Sequence, residues 1–313
     1  MSNLFIIGNG FDLSHELPTT YKDFYKYLIE NYPNAIDMDV TFNIDGSSMP
    51  DGSIEFDKDE VVAFLIDLIS RAERNGEDWC DIETSLGRLD YDQYFDEMSY
   101  LYDEDEDGFR LANIYEDVAS NFYLVTIQIK ELFAEWINTI DISQVEFKDS
   151  FYEYLDPERD SFLTFNYTPV LEDVYGAIYV EHIHGMQKRD IIIGHGDRER
   201  DFQNGPIGTE WPLSQIHDSL RKDTQKIIER EQDFFNYLPP IEKIYSYGFS
   251  FSNVDLPYIK EVCNQLDTIN ITWFLYDYDE KEVRDRYRKI IRECGFKGEF
   301  EVFSVNKQDV NLK

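Results

Sequence analysis

Near its start the chain passes without a break from an apolar run into a glycine turn. Residues Leu4 to Ile7 are all apolar, and Gly8-Asn9-Gly10 follows at once. So short an apolar run, closed by glycine, predicts a buried strand at the centre of a sheet. Helical spacing of apolar residues begins just after Thr20, a residue suited to cap a helix. The order of strand, glycine turn and helix predicts the first unit of an α/β fold.

Short runs rich in β-branched and aromatic residues return in the second half of the chain. They occupy residues 162–165, 179–183, 191–193, 244–247, 271–275 and 300–303. Helical or polar stretches separate most of them, which predicts a mostly parallel sheet with residues 300–303 at its edge. Asp279 and Glu282 predict a capping box for the last helix, and Gly295 predicts its end.

Between about residues 31 and 146 the pattern is helical and predicts no buried strand. Apolar residues from Val61 to Ala72 mark one helix, and those from Leu111 to Trp136 mark a single longer one. The sequence therefore predicts a discontinuous Rossmann-like core, residues 1–32 and 145–313, interrupted by a helical insertion at residues 33–144. We expect the insertion to cover the site or to form a homo-oligomer interface.

The charge of the chain excludes several classes of function. There are 64 Asp and Glu residues against 29 Lys and Arg, a formal net charge of -35. The negative electrostatic potential of such a chain repels phosphate backbones, so stable nucleic-acid binding is not expected.

Membrane and disulfide-rich classes are also not expected. No apolar run reaches the roughly 18 residues that a membrane span needs, and the start of the chain has no basic leader, so we expect a cytoplasmic protein. The three cysteines form no CxxC pair, and no metal is expected.

An acidic segment at residues 91–110 predicts a solvated loop within the insertion. Its sequence Asp103-x-Asp105-x-Asp107-Gly108 imitates the start of a calcium-binding loop. The twelfth position of that loop requires a bidentate Glu, and Ile114 stands there instead. We therefore reject an EF-hand.

Four polar motifs follow predicted strands at their carboxyl ends. Ligands of open α/β sheets bind outside that edge, so the motifs are expected to converge although they are far apart in sequence. They are Gly8-Asn9-Gly10-Phe11-Asp12, Thr164-Phe165-Asn166-Tyr167-Thr168, His182-Ile183-His184-Gly185 and Gly248-Phe249-Ser250-Phe251-Ser252.

The first motif has two interpretations. Gly8 and Gly10 are consistent with an ordinary tight turn, or with a turn that lets backbone amides approach a pyrophosphate. In the second interpretation the side chains of Asn9 and Asp12 contact a ribose. The third glycine of GxGxxG is missing, so this motif alone does not decide between the two.

The second and third motifs supply the candidate catalytic groups. The carboxamide of Asn166 suits the orientation of a water or a sugar hydroxyl, although a turn or capping role is equally consistent. His184 is a candidate general base, because imidazole titrates near neutral pH, or a structural histidine. A third hypothesis makes His182, His184 and His195 the ligands of a metal-dependent hydrolase, since HxH on a strand places both rings on one face.

Together these motifs resemble the AbiH family of bacterial phage abortive-infection proteins. The resemblance covers nearly the whole chain, and its residues are 8–13, 17–24, 165–168, 182–185 and 247–255. It implies an antiphage function, for which we expect a phage-derived trigger.

The order of the four motifs is also similar to that of sirtuin-like NAD-binding domains. This more distant resemblance implies catalytic roles for Asn166 and His184, and contacts of Gly248 and Ser250 with the phosphate or adenosine of NAD. Thr168 replaces the Asp of the sirtuin pattern, and the zinc module of deacylases is missing. The resemblance therefore implies hydrolysis of the nicotinamide-ribose bond by water, or binding of NAD or ADP-ribose without turnover, with a small-molecule nucleotide as the partner.

Overall fold

The computed structural model describes residues 2–44, 46–73, 79–100, 108–197 and 200–305. Eight strands lie in these ranges: β1 Ser2–Ile7, β2 Gly46–Ser48, β3 Ile54–Phe56, β4 Ser161–Thr164, β5 Tyr179–His182, β6 Ile241–Tyr247, β7 Thr272–Tyr276 and β8 Glu299–Phe303.

Fourteen α-helices lie in the same ranges, together with short 3₁₀ helices at Pro33–Asp37 and Thr268–Asn270. The α-helices are α1 Asn9–Ser14, α2 Tyr21–Asn31, α3 Lys58–Ala72, α4 Ile82–Leu86, α5 Asp92–Ser99, α6 Gly108–Thr126, α7 Ile129–Thr139, α8 Asp149–Tyr152, α9 Val170–Asp173, α10 Glu210–Ser219, α11 Thr224–Arg230, α12 Gln232–Asn236, α13 Leu256–Gln265 and α14 Lys281–Glu293.

The chain divides into two compact units. The sheet unit consists of Met1–Thr19, Ile137–Ile192 and Asp223–Lys313, and the helical unit of Thr20–Trp136 and Ile193–Lys222. This division differs from the boundaries expected from sequence chiefly at 193–222, which group with the helical unit. The predicted core at residues 1–32 and 145–313 and insertion at residues 33–144 stay a prediction.

Six strands of the sheet unit form one parallel sheet in the order β5-β4-β1-β6-β7-β8. Numbered by their own succession along the chain, these strands read 3-2-1-4-5-6, which is the doubly wound Rossmann order. The predicted Rossmann-like α/β fold, with β1 central and β8 at an edge, is confirmed. The strand order reverses between β1 and β6, and ligands of such sheets bind at that point, outside the carboxyl ends of the strands.

Alternation along β1 determines what each face of the sheet buries. Leu4 and Ile6 belong to an apolar core cluster on one face, which also contains Trp273. Phe5 alternates with these residues and belongs to a row of stacked rings that crosses four strands on the other face. Its ring centroid is 5.1 Å from that of Phe162 and 4.9 Å from that of Tyr245, which stacks on Phe274 at 4.7 Å.

The helical unit confirms some of the predicted helices and corrects others. Thr20 caps α2 in a reciprocal capping box with Asp23, and α3 covers the predicted face from Val61 to Ala72. The single helix expected over 111–136 is instead two helices, α6 and α7. The β-branched run Val125, Thr126 and Ile127 spans the end of α6, and the restricted χ1 rotamers of such residues lower their helix propensity. The described acidic residues of α5 are exposed, and Asp103, Asp105 and Asp107 lie outside the described residues.

One unpredicted feature is a hairpin, and two local expectations are wrong. In residues 46–56, β2 and β3 pair antiparallel, but apart from Phe56 their residues are exposed, so the hairpin does not contradict the expectation of no buried strand there. Residues 191–193 form no strand, and Ile191 makes only an isolated bridge to Gly185, whose φ of +82° reverses the chain. The last helix has Glu280 at its N-cap and no capping side chain, so the predicted capping box between Asp279 and Glu282 is absent among the described contacts.

Candidate functional site at the carboxyl edge of the sheet

Two glycine turns, one after β1 and one after β6, pack backbone against backbone. Gly8 N donates to Tyr247 O and Gly10 N donates to Gly248 O, each at 3.0 Å. A Cβ on Gly10 would lie 2.6 Å from Gly248 Cα, and a Cβ on Gly248 would lie 2.3 Å from Phe11 N. So close a contact between the two backbones requires glycine at Gly10 and Gly248. It also uses the backbone amides of Gly8 and Gly10 for hydrogen bonds within the protein. Their assignment to nucleotide binding stays a prediction.

Asn9, the first residue of α1, fixes the loop that follows this helix. Its Nδ2 donates to Thr19 O at 2.9 Å. The side chain that we expected to contact a ribose therefore has a structural partner within the sheet unit.

Asp12 joins the first motif to the second across 154 residues of sequence. Its side chain is 1% exposed. Asn166 Nδ2 donates to Asp12 Oδ1 and Thr168 Oγ1 donates to Asp12 Oδ2, both at 2.8 Å. Thr168, noted in the sequence only as a departure from the sirtuin pattern, thus has a definite role. The two motifs converge as predicted, but through direct contact between protein side chains.

Burial changes the acidity of Asp12. Desolvation disfavours the carboxylate and raises the pKa of Asp12 to about 7, although the hydrogen bonds from Thr168 and Asn166 and the nearby His182 oppose the shift. A carboxyl group poised near neutral pH is typical of functional sites, although structural networks produce the same effect.

His182 links the third motif to the second. Its Nδ1 donates to the backbone carbonyl of Asn166 at 2.9 Å, and its Nε2 lies 2.8 Å from Glu172 Oε1. Both ring nitrogens are therefore engaged by the protein.

His184 lies in an aromatic setting next to an acidic residue of the fourth motif. It is 3% exposed, and its ring packs edge-on against Phe165 and Tyr258 with centroids 5.4 and 5.7 Å away. Its Nε2 is 3.7 Å from Asp255 Oδ1. At this distance the two groups form an ion pair only when the imidazole is protonated.

A cavity of about 510 Å³ opens where β1, β6 and β7 end. Gly10, Gly248 and Ser250 of the predicted motifs contribute to its wall. Phe249 lies in the same wall and packs against Phe165, with tilted rings whose centroids are 4.4 Å apart. Asp12, Asn166 and His184 are not among the described residues that line the cavity. The structure thus brings the glycine turns to a cavity and keeps the proposed catalytic pair outside its wall.

One comparison decides the family of this chain. The family model for bacteriophage abortive infection AbiH matches residues 4–277. The chain belongs to the AbiH family. No curated protein matches it. The match extends over the four strand-end motifs and over the helical unit, so the contacts among those motifs belong to the part of the chain that identifies the family.

The third hypothesis for this AbiH-family chain, a metal centre of three histidines, finds no geometric support. His195 lies in the helical unit, where its Nε2 donates to His217 O at 3.0 Å and its Nδ1 accepts from Asp197 N. Burial lowers the pKa of His195 to about 4. Across residues 2–305, apart from the gaps given above, no group of three His, Cys, Asp or Glu is arranged to hold a metal.

Sequence reasoning did not identify the other residues of the cavity wall in this AbiH-family protein. They include Lys148, Tyr276, Tyr278, Asp279 and Tyr287. Tyr276 to Asp279 directly follow a strand that was predicted, so the strand-end rule applied there would have found three of them. Lys148 and Tyr287 lie on other elements, and no local signal marks them.

Among the described helices, none is both long and apolar enough to cross a membrane.

Proposed function

We propose that this AbiH-family protein acts in antiphage defence by binding NAD in the cavity at the carboxyl edge of its sheet and hydrolysing the nicotinamide-ribose bond. One observation carries the proposal: the cavity adjoins the ends of β1 and β6, between which the strand order reverses. Doubly wound sheets bind nucleotides at that point. A volume of about 510 Å³ also falls in the range of small-molecule sites.

The wall of the cavity suits the adenosine part of such a ligand. The rings of Tyr276 and Tyr278 are nearly parallel, with centroids 6.0 Å apart, and Tyr278 is 67% exposed. An exposed aromatic face can stack on a base. Asp279 and Ser250 offer acceptors for ribose hydroxyls, and Lys148 contributes a cation in a strongly acidic chain. These groups support a nucleotide ligand, and the sirtuin-like order of the motifs selects NAD.

The chemistry would use Asn166 and His184. Water would attack the ribose carbon as nicotinamide leaves with the bonding electrons, while Asn166 orients the water or a ribose hydroxyl and His184 accepts the proton. The products are nicotinamide, ADP-ribose and one proton. The pairing of His184 with Asp255 supports a base at this position. Control by a phage-derived component, acting on the helical unit, belongs to the same proposal.

A second candidate function is a nucleotide sensor that binds NAD or ADP-ribose without turnover. The burial of His184 and its position outside the cavity wall favour this alternative. The release of nicotinamide distinguishes the two functions. Purified protein incubated with NAD releases nicotinamide, resolved by chromatography, if it is a hydrolase, whereas a sensor shows only thermal stabilisation by the ligand.

The binding step has a test of its own. We expect Tyr278→Ala to weaken NAD binding by about 1–3 kcal/mol, the usual worth of stacking a base on an aromatic ring. The matched control is Tyr237→Ala, because Tyr237 is 79% exposed and is not one of the described residues of the cavity wall. Calorimetry that shows equal NAD affinity for both variants would remove the cavity from the proposal.

A further inference from the structure

The hydrogen bonds of Asn166 are almost completely used by the protein. Its backbone N donates to Thr164 Oγ1 at 3.1 Å, its backbone O accepts from His182, and its Nδ2 donates to Asp12. Within the described part of the chain, the side-chain Oδ1 is buried and has no hydrogen-bond partner. A buried acceptor without a partner is unfavourable and calls for an explanation.

Asp12 determines which way the carboxamide of Asn166 points. Because Asp12 Oδ1 accepts from Asn166 Nδ2 at 2.8 Å, this contact selects the Nδ2 side of the amide and turns Oδ1 away. The second oxygen of Asp12 is held by Thr168 at 2.8 Å. The orientation of the Asn166 amide is therefore set by a group that is itself fixed.

His182 holds the backbone of the same residue from another direction. Its Nδ1 donates to Asn166 O at 2.9 Å, and its Nε2 is 2.8 Å from Glu172. His182 ends β5, whereas Asp12 lies on α1. Asn166 is thus clamped from strand β5 and from helix α1, while its Oδ1 has no hydrogen-bond partner among the described residues and can accept from a donor outside the chain.

We propose that Asp12 and His182 are positioning residues that clamp Asn166 so that its Oδ1 faces the reacting water or hydroxyl. In this proposal Asp12 acts through Asn166 and does not contact the ribose. His182 is not a metal ligand, and its role is to hold the backbone of Asn166. The inference rests on the proposed function for the identity of the donor. The clamp itself rests on the hydrogen bonds around Asn166.

The clamp can be tested without turnover, through the side-chain amide of Asn166. In protein labelled with ¹⁵N on asparagine, the Asn166 signal is identified by its loss in Asn166→Leu. We expect a protected amide in the wild type, at least tenfold faster hydrogen exchange of that amide in Asp12→Ala, and near wild-type protection in Asp12→Asn. Asparagine restores the contact because its Oδ1 can accept from Asn166 while its Nδ2 donates to Thr168.

Asp160→Ala is the matched control. Asp160 is also 1% exposed, and it also accepts from an asparagine side chain, that of Asn3 at 3.3 Å. That pair lies at the amino ends of β1 and β4, the opposite edge of the sheet. Asp160→Ala should therefore lower stability without changing the exchange of the Asn166 amide or the rate of nicotinamide release.

Steady-state release of nicotinamide from NAD gives the second measurement. A misplaced reacting group costs up to about 100-fold, so we expect kcat to fall about 10- to 100-fold in Asp12→Ala and His182→Ala at nearly unchanged KM. Asp12→Asn should restore kcat.

The possible results separate the clamp from the proposed function. An unchanged Asn166 amide in Asp12→Ala, or the failure of Asp12→Asn to restore protection, overturns the clamp. A protected amide that responds as expected in a wild-type protein that releases no nicotinamide supports the clamp and refutes the hydrolase.

Discussion

Gly248 carries the most demanding backbone position of the site, and its replacement by alanine tests the close approach of the two glycine turns. Its φ is +65°, and a Cβ there would lie 2.3 Å from Phe11 N and 2.4 Å from Gly10 C. The left-handed conformation costs a residue with a Cβ about 1–2 kcal/mol. Overpacking adds about 1–3 kcal/mol, because backbone atoms cannot rotate away as a side chain can. We expect Gly248→Ala to lower the free energy of unfolding by about 2–5 kcal/mol.

Gly176→Ala is the control that separates strain from collision. Gly176 also lies in the sheet unit and has a φ of +72°, but a Cβ there meets nothing within 4 Å. This variant should therefore lose only about 1–2 kcal/mol. Denaturant unfolding followed by circular dichroism measures both. If Gly248→Ala is no less stable than Gly176→Ala, the turns do not need glycine for their contact, and our account of the motif fails.

Three further predictions concern titration, catalysis and thiols. Because the pKa of Asp12 is raised in the folded protein, the native state binds the Asp12 proton more tightly than the unfolded state does. The stabilisation from this proton should therefore be lost as the pH rises from about 4 to about 7. Asp12→Asn should not show this loss, and parallel profiles of unfolding free energy against pH for the two proteins would contradict the shift. The groups facing Asp12 in that measurement are Asn166, Thr168 and His182. His184→Ala should reduce nicotinamide release about 10²–10⁴-fold while NAD affinity is retained, and unchanged turnover would refute its role as the base. Burial raises the pKa of the Cys263 thiol to about 12 and also raises that of Cys294, whereas Cys80 is exposed, so a thiol reagent should label native protein once per chain and denatured protein three times.

The sequence alone determined the features that depend on neighbouring residues. The apolar run from Leu4 to Ile7 predicted the central strand, and Thr20 predicted the cap of α2. Periodicity and turn chemistry act over a few residues, so they can be read without the fold. The rule that parallel sheets bind ligands at one edge extended this local information to four separated motifs, and two of them meet at Asp12 and Asn166.

Tertiary structure decided which partner each of those residues has. Asp12 and Asn9 were both assigned to a ribose, yet Asp12 contacts Asn166 at a separation of 154 residues, and Asn9 binds the backbone of Thr19. His182 resembled a metal ligand because alternation along a strand places it with His184, but its ring is fixed by Asn166 and Glu172. A hydrogen-bonding side chain can reach any group within about 3 Å, and only the packed chain determines which group that is. The tyrosine-lined cavity has the same origin, because its wall comes from the ends of three strands and from residues whose local sequence carries no signal.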